Sequence, residues 1–463
     1  MSQHEAENGP SELDRREFLR GASMGTLMML MGGIPIEAGA QTTNAAANSE
    51  NTGFGTISPP VSCAVIGCGV WGREILQTLA TLTNAPVSAI CDTYQPSLNR
   101  AKESAPKAQA YLDYRKVIED KSVEAVIVAT PSHQHKEIVL AALQAGKHVY
   151  CEAPLALSIE EAQAIAKAAK AAIGVNFQPG LQLRSDERTN YVFNNFIRVG
   201  ATGKPVFCRG QWHQKTSWRR ASPNPEREKQ INWRVSKATS GGLMGEIGIH
   251  QLDRMNWFLK SWPAAVRGHS GIMNWDDGRD VPDTIQAMFE YPDKVNFFYD
   301  ATLTNSFEAD CDVFHGTYAA IMMRGDKAWI FKEIDSPLLG WEVFGSKAEF
   351  YKDTGFVLSA DATKSVKPGQ VKESEYADSP LNHAFKAFVN NCYQTSQGVR
   401  NFSDTNPGET EGLAEYLQTW AKKGRLPAAG YKEGFEATVC ALKANEAVTQ
   451  GQKIEMQKEW FDI

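Results

Sequence analysis

The chain is poor in the residues that staple a fold or hold a metal. Its 463 residues include eight cysteines, at 63, 68, 91, 151, 208, 311, 392 and 440, and no two are spaced C-x-x-C. That excludes the common zinc and thiol-redox motifs. Four of the eight lie in or beside short apolar runs, where cysteine acts as a small hydrophobe. Of nine histidines, His133 and His135 stand close together, but an i, i+2 pair at a helix start with no further ligand cluster makes no metal site. Asp276-Asp277-Gly278-Arg279-Asp280 reads as a solvated turn rather than a calcium loop. No basic block follows the first 40 residues, and the formal net charge is −6, so nucleic acid is not an expected partner. No later apolar run is long enough to span a bilayer, and no internal repeat is visible. With 42% hydrophobic and 22% charged residues, the chain has the composition of a globular protein of two or three domains.

The N-terminus has a different character. Asp14-Arg15-Arg16-Glu17-Phe18-Leu19-Arg20 reads as a twin-arginine export signal, followed by a glycine-rich apolar run to Ile36 and the small residues Ala38-Gly39-Ala40. Residues 1–40 are thus expected to be a signal peptide cleaved near Ala40, and the mature chain to be periplasmic or otherwise extracytoplasmic. Such a protein folds before export, so disulfides are not required of it. Residues 41–60, rich in Thr, Asn, Ala, Ser and Gly, read as a linker or arm.

From Val61, chemistry becomes legible. The apolar run Val61 to Ile66 leads into Gly67-Cys68-Gly69-Val70-Trp71-Gly72, a helical pattern follows, and a second apolar run ends in Asp92. Gly67 permits the tight turn, Gly69 lets backbone approach a pyrophosphate, and Gly72 lets the helix pack close to the strand. The helix N-terminus offers unpaired N–H groups to the phosphates. Asp92 accepts hydrogen bonds from ribose hydroxyls and repels a 2′-phosphate, which favours NAD over NADP.

Strand and helix signals alternate over residues 61–180, which predicts an α/β Rossmann domain with a doubly wound parallel sheet. Residues 181–450 change rhythm. Helical patterns at 186–199 and 243–259 are followed by strand-like runs near 266–273, 284–289, 295–303, 317–323 and 328–332, after an earlier one at 205–212. Helices at 380–395, 409–421 and 432–449 close the chain. This predicts an α+β C-terminal domain with a large, mostly antiparallel sheet for substrate and oligomerisation, then a C-terminal tail at 451–463.

Four pieces together resemble the Gfo/Idh/MocA family, named for glucose–fructose oxidoreductase, inositol dehydrogenase and a rhizopine-catabolism protein. They are the glycine fingerprint, Thr130-Pro131 followed by His135, Cys151-Glu152-Ala153-Pro154, and the stretch from Gly242 through Glu246 and His250 to Asp253. The resemblance implies that Thr130, Pro131, Glu152 and Ala153 line the nicotinamide half of NAD, and that His135 contacts its ribose. It also implies a catalytic pair, Glu246 and His250. Spacing i, i+4 places these on one helix face with Asp253 beside them, and a carboxylate beside an imidazole orients it and raises its pKa, which suits a general base.

The family's catalytic lysine is Ala153 here, and a methyl group can neither donate a hydrogen bond nor relay a proton. Three readings stay open. His250 works without the lysine in an oxidoreductase acting on a sugar C–H. Alternatively, the chain resembles the family's NAD-dependent glycosidases, which also lack that lysine and end each cycle redox-neutral. Or it is a non-enzymatic sugar or nucleotide binder. Gln178 and Arg184 follow the sixth strand where a cleft should open. His213, Trp218 and the pair Trp233-Arg234 combine aromatic faces with planar donors, a combination suited to carbohydrate. Homo-oligomers are usual in the family.

Overall fold

The computed structural model describes residues 58–338 apart from Asp326, residues 347–350 and 353–357, and residues 378–463 apart from Lys423. All of these except Pro337 and Leu338 belong to one compact unit; the other unit, residues 1–50 and 337–345, lies almost wholly outside the described residues. The twin-arginine motif, the cleavage site and residues 41–57 of the arm also lie outside them.

The chain begins as expected, with β1 (Cys63–Ile66), α1 (Val70–Ala80), β2 (Val87–Cys91), α2 (Gln95–Ala101), β3 (Gln109–Tyr111), α3 (Tyr114–Glu119), β4 (Ala125–Val128), α4 (His135–Gln144), β5 (His148–Cys151), α5 (Ile159–Ala171) and β6 (Phe177–Pro179). The six strands form a parallel sheet in the order β3-β2-β1-β4-β5-β6. Strand parity explains the continuous apolar runs. Cys63 and Val65 face one buried cluster while Ala64 and Ile66 face the other, so both sheet faces are covered. Ile66 pairs with Cys91 and with Val128, and Val128 pairs with Cys151. Gly67, Asp92, Ala129 and Glu152 therefore leave the sheet side by side at its carboxyl edge. There the strand order reverses between β1 and β4, the position where such sheets bind ligands.

Next come α6 (Glu187–Val192), β7 (Pro205–His213), α7 (Pro225–Ile231), α8 (Ile249–Leu259), β8 (Ala265–Gly271), β9 (Thr284–Glu290), β10 (Asn296–Thr302), β11 (Asp310–Gly316), β12 (Ala319–Arg324), β13 (Lys327–Lys332), β14 (Lys347–Phe350) and β15 (Asp353–Val357). The chain closes with α9 (Pro380–Thr405), α10 (Leu413–Ala421), α11 (Tyr431–Gln450) and β16 (Ile454–Glu455). The second sheet runs β14-β15-β13-β12-β11-β7-β10-β9-β8-β16, with β7 and β10 parallel and the other pairs antiparallel. On β10, Phe297, Tyr299 and Ala301 are buried beneath the helices, whereas Phe298 on the other face is 44% exposed.

α7, β14 and β15 were not foreseen in the sequence, and three further features depart from the expectation. β11 was not foreseen: its Asp310, Asp312 and His315 look like loop residues, yet Asp312 is buried because Arg254 and Gln251 of α8 bind it. The helices α9 and α11, assigned to the second domain, also pack on the first. Phe385 and Phe388 of α9 pack on Tyr150, and Phe435 and Val439 of α11 join the opposite core cluster. Residues 451–463 are not a free tail. β16 extends the second sheet through β8, and Lys170 Nζ donates to the carbonyl of Ile463 at 3.0 Å.

Candidate active site

The glycine turn is shaped by contacts that leave no space for side chains at Gly67 and Gly72. Gly67 has φ +98°, and a Cβ there would lie 2.5 Å from the Ala129 carbonyl oxygen. A Cβ on Gly72 would lie 1.8 Å from the Gly67 oxygen, whereas one on Gly69 would meet nothing within 4 Å. Gly69 thus faces open space at the start of α1, whose first turn carries neither an acidic residue nor a side-chain cap. Asp92 is oriented by backbone N–H groups: Cys68 donates to Oδ2 at 2.9 Å and Tyr94 to Oδ1 at 2.8 Å. Its other lone pairs remain for ribose hydroxyls. Val70 and Trp71 are 48% and 37% exposed on the rim. These residues fit a dinucleotide, with the pyrophosphate at Gly69 and the adenosine ribose at Asp92.

At the other end of the groove, Thr130 Oγ1 is buried without a hydrogen-bond partner among the described residues, a group that the nicotinamide half of NAD would satisfy. His135 does not face that half. Its ring lies between the Thr130 and Pro154 carbonyl oxygens, each 3.0 Å away, and is 1% exposed. It ties the Thr130-Pro131 turn to the Glu152-Ala153-Pro154 turn and leaves no ring nitrogen for ribose. Glu152 accepts a 2.8 Å hydrogen bond from Trp71 Nε1. Burial pushes this carboxyl up to about 7, against the opposing effects of Trp71, the Ala153 backbone and the charge of Arg234.

That proximity makes Trp71 a reporter of Glu152. Its fluorescence in the nucleotide-free protein is expected to titrate with a midpoint near 7, and Glu152→Gln should abolish the transition. Because folding raises this pKa, the stabilisation it represents is full below the unfolded value and is lost as pH rises through the folded one. Glu152→Gln should therefore flatten the loss of stability between the ordinary carboxylate value and about pH 7.

The helix bearing the acid–imidazole pair starts with a π turn, Met244–Gly248, before α8 proper; single wide turns of this kind are frequent at functional sites. Glu246, 7% exposed, does not bind His250 as α-helical spacing suggested. Its carboxylate accepts from the Ser132 hydroxyl at 3.1 Å and from the Gly241 N–H at 2.9 Å, linking the second domain to the nicotinamide turn. Burial raises Glu246, with Arg234, Gly241 and Ser132 acting against it. His250 has no hydrogen-bond partner among the described residues, and burial, aided by the charge of Arg254, holds it down at about 4. The expected upward shift from a neighbouring carboxylate is reversed, and the imidazole is neutral at physiological pH.

The residues assigned to substrate separate. Arg184 and Asp253 bind each other in a two-pronged ion pair, Nε to Oδ2 at 2.9 Å and Nη2 to Oδ1 at 2.8 Å, with the guanidinium over Trp257. This joins the segment after β6 to α8. Gln178 is 2% exposed and donates to the Ala384 carbonyl of α9 at 2.9 Å, so it packs rather than lines a cleft. His213 bonds Asp300 and the Phe307 carbonyl. Asp300 alternates with the helix-facing Tyr299, so His213 lies on the sheet face away from α8.

Of the residues proposed for carbohydrate, Arg234 acts on the two carboxyl groups, with Trp218 and Trp233 beside it. That guanidinium lies 5.7 Å from the Trp218 ring centroid and 5.0 Å from that of Trp233. Its charge acts on both Glu152 and Glu246. Ser132 is the functional group the sequence reading did not single out, and Arg234 stands in that reading only as a sugar donor. Ser132 stood inside the Thr-Pro-Ser-His turn, but its partner is 114 residues away. Among the described residues, no group of three His, Cys, Asp or Glu side chains could hold a metal ion, and no helix is long and apolar enough to cross a membrane. All eight cysteines are free.

Comparison with known proteins agrees with this architecture. Residues 61–179 match the oxidoreductase family with an NAD-binding Rossmann fold, and residues 194–329 match the GFO/IDH/MocA C-terminal domain. The 2,7-anhydro-N-acetylneuraminate hydratase of Escherichia coli K12 is 31% identical over 209 residues, 44% of this chain and 51% of that protein. An alpha-N-acetylgalactosaminidase of Shewanella oneidensis is 27% identical over 240 residues, 48% of this chain and 50% of that protein. The match thus spans about half the length of these relatives. A levoglucosan dehydrogenase solved with NADH and levoglucosan superposes with a TM-score of 0.62 at 19% identity, covering 86% of this chain and all of that one; at that identity the likeness is one of fold. The two family models, one for each sheet and together spanning more than half of the residues, place this chain in the Gfo/Idh/MocA family.

Proposed function

We propose that this protein is a carbohydrate-active, NAD-dependent oxidoreductase that keeps its cofactor, with His250 as its base. Bound NAD would take a hydride from a sugar C–H and, in a redox-neutral cycle, return it. The observation that carries this reading is the unpartnered imidazole of His250, four residues beyond the Glu246–Ser132 link to the NAD-binding turns. Held neutral, it is ready to accept the proton of a sugar hydroxyl as hydride leaves the same carbon, and that hydroxyl would supply the missing hydrogen bond. Glu246 is then a positioning residue for the turn that carries His250. Trp218 and Trp233 offer apolar faces for a sugar ring, and Arg234 offers a cation beside them.

A second reading, an NAD-dependent glycoside hydrolase, is favoured by Ala153. Oxidation at sugar C3 would acidify the C2 proton, its removal would expel the aglycone, water would add to the resulting double bond, and the hydride would return to C3. The glycosidase and hydratase relatives support a cycle without net oxidation. The twin-arginine motif supports export of the folded, cofactor-loaded protein beyond the cytoplasm, where a cofactor has to be restored within each cycle. The half-exposed face of the second sheet supports a homo-oligomer.

Incubating the native protein with nitrophenyl glycosides and free sugars in D2O tests these readings. Keto-sugar or NADH accumulation is expected for the oxidoreductase. Aglycone release with deuterium at C2 and no net NADH would replace it with the glycosidase. Retained nucleotide with neither product across the panel would reduce the protein to a binder.

A further inference from the structure

The loop between β7 and the π turn is long, polar and folded upon itself. Arg219 forms an ion pair with Glu228. Asn232, 6% exposed, accepts from the Arg220 N–H at 2.7 Å and donates to the Arg220 carbonyl at 3.0 Å and to Glu228 at 2.9 Å. Arg279 fastens the loop to the second domain at the Ser217 carbonyl. Such internal bonding makes residues 214–235 a strap rather than a random connection.

This strap touches the first domain through Arg227 on Tyr94, and its Arg220 and Arg234 act by charge on groups along the dinucleotide groove. At the adenosine end, Arg227 stacks over Tyr94, two residues beyond Asp92, at 4.1 Å from the ring centroid. Its Nε is buried without a hydrogen-bond partner among the described residues. At the middle, burial and then the like charges of Arg100 and Arg220 lower Arg73, the residue that follows the glycine fingerprint. Among the described residues none of Arg73, Arg100 and Arg220 has a carboxylate within ion-pair distance, and Arg73 instead donates to the Cys68 carbonyl at 3.2 Å. At the nicotinamide end, Arg234 acts on Glu152 and Glu246, and its Nε too is buried and unpartnered. Gathered guanidiniums with orphaned donors are costly unless an anion joins them.

We propose that residues 214–235 are the outer wall of the NAD site, a strap from the second domain that runs along the groove and holds the dinucleotide between turnovers. The anion that completes it is the pyrophosphate of NAD, flanked by Arg73, Arg100 and Arg220, with Arg227 closing the adenosine end over Tyr94. Release then requires the strap to lift, so the strap governs the off-rate far more than the on-rate. The inference deepens the retained-cofactor reading above and rests on it.

The test is release of NADH from the loaded protein, followed by loss of its fluorescence during a chase with excess NAD. The double variant Arg220→Ala/Arg227→Ala is expected to release NADH at least about tenfold faster than the parent, with the melting temperature of the nucleotide-free protein unchanged. Release within about twofold of the parent overturns the strap. A second readout needs no variant. Trypsin cleavage at Lys215, Arg219, Arg220, Arg227 and Lys229 should be slowed at least about tenfold by saturating NAD, and equal cleavage with and without NAD overturns the proposal. Neither readout uses a sugar, so slow release without sugar chemistry would sink the proposed function and leave the strap standing. Sugar chemistry with fast release in parent and variant alike would sink the strap and the retained cofactor and leave the sugar chemistry standing.

Discussion

His250→Ala is expected to lower kcat by about 10²- to 10⁴-fold, the usual contribution of a positioned general base, while leaving bound nucleotide in place. The imidazole stands apart from the glycine turn and Asp92, so cofactor affinity should change little. A second signature separates a base from a merely structural side chain. His250 is held at about 4 by burial and the charge of Arg254. A base must be unprotonated to act, so the acidic limb of the kcat/KM profile due to this group should fall near pH 4 rather than at the ordinary histidine value. A steady limb near the ordinary value, or a His250→Ala variant within about threefold of the parent, would remove His250 from the chemistry.

Gly72→Ala is expected to abolish stable nucleotide binding, with a loss of at least about 100-fold in affinity and about 2–4 kcal/mol in stability. The new Cβ would sit 1.8 Å from the Gly67 carbonyl oxygen. Backbone has to move on one side or the other, α1 withdraws from β1, and its free N–H groups leave the phosphate position. Gly69→Ala makes the informative contrast. Its Cβ meets nothing within 4 Å, so melting of the nucleotide-free protein should be nearly unchanged while affinity falls, because the methyl takes space meant for the pyrophosphate. If both variants bound NAD as the parent does, the glycine turn would not be the cofactor site.

The Rossmann half was readable because its determinants are local. The buried strands announce themselves as continuous apolar runs, and the fingerprint glycines, α1 and Asp92 all lie within about thirty residues. What could not be read depends on distant partners. Asp312 looks like a loop residue until Arg254, 58 positions earlier, neutralises it inside the sheet. Its burial raises it to about 6 even so. His213 stands at a strand end whose facing is decided by its register with Thr302 on β10, and one residue of slip would have turned it toward α8. The Glu246–His250 pair followed from α-helical spacing, but the π turn and Ser132 give the carboxylate other partners. Arg184 and Asp253 were each plausible sugar ligands alone; facing each other, they consume one another's hydrogen-bonding capacity.

Ala153 sharpens what the site has to do without. Position 153 carries only a methyl, and Arg234, arriving from the second domain, is the cation that acts on the two buried carboxyls of Glu152 and Glu246. A fixed guanidinium does not exchange protons at physiological pH. Under the proposed function proton traffic then falls to His250, while Glu152, raised to about 7, also titrates in the working range.

The central claim is that this fold holds NAD as a resident cofactor. Denaturing the freshly purified protein and identifying the released nucleotide tests it most directly. The account predicts NAD or NADH at about one per chain, recovered after extensive gel filtration. Release of no nucleotide, together with no binding when NAD or NADH is added to the native protein, would contradict it.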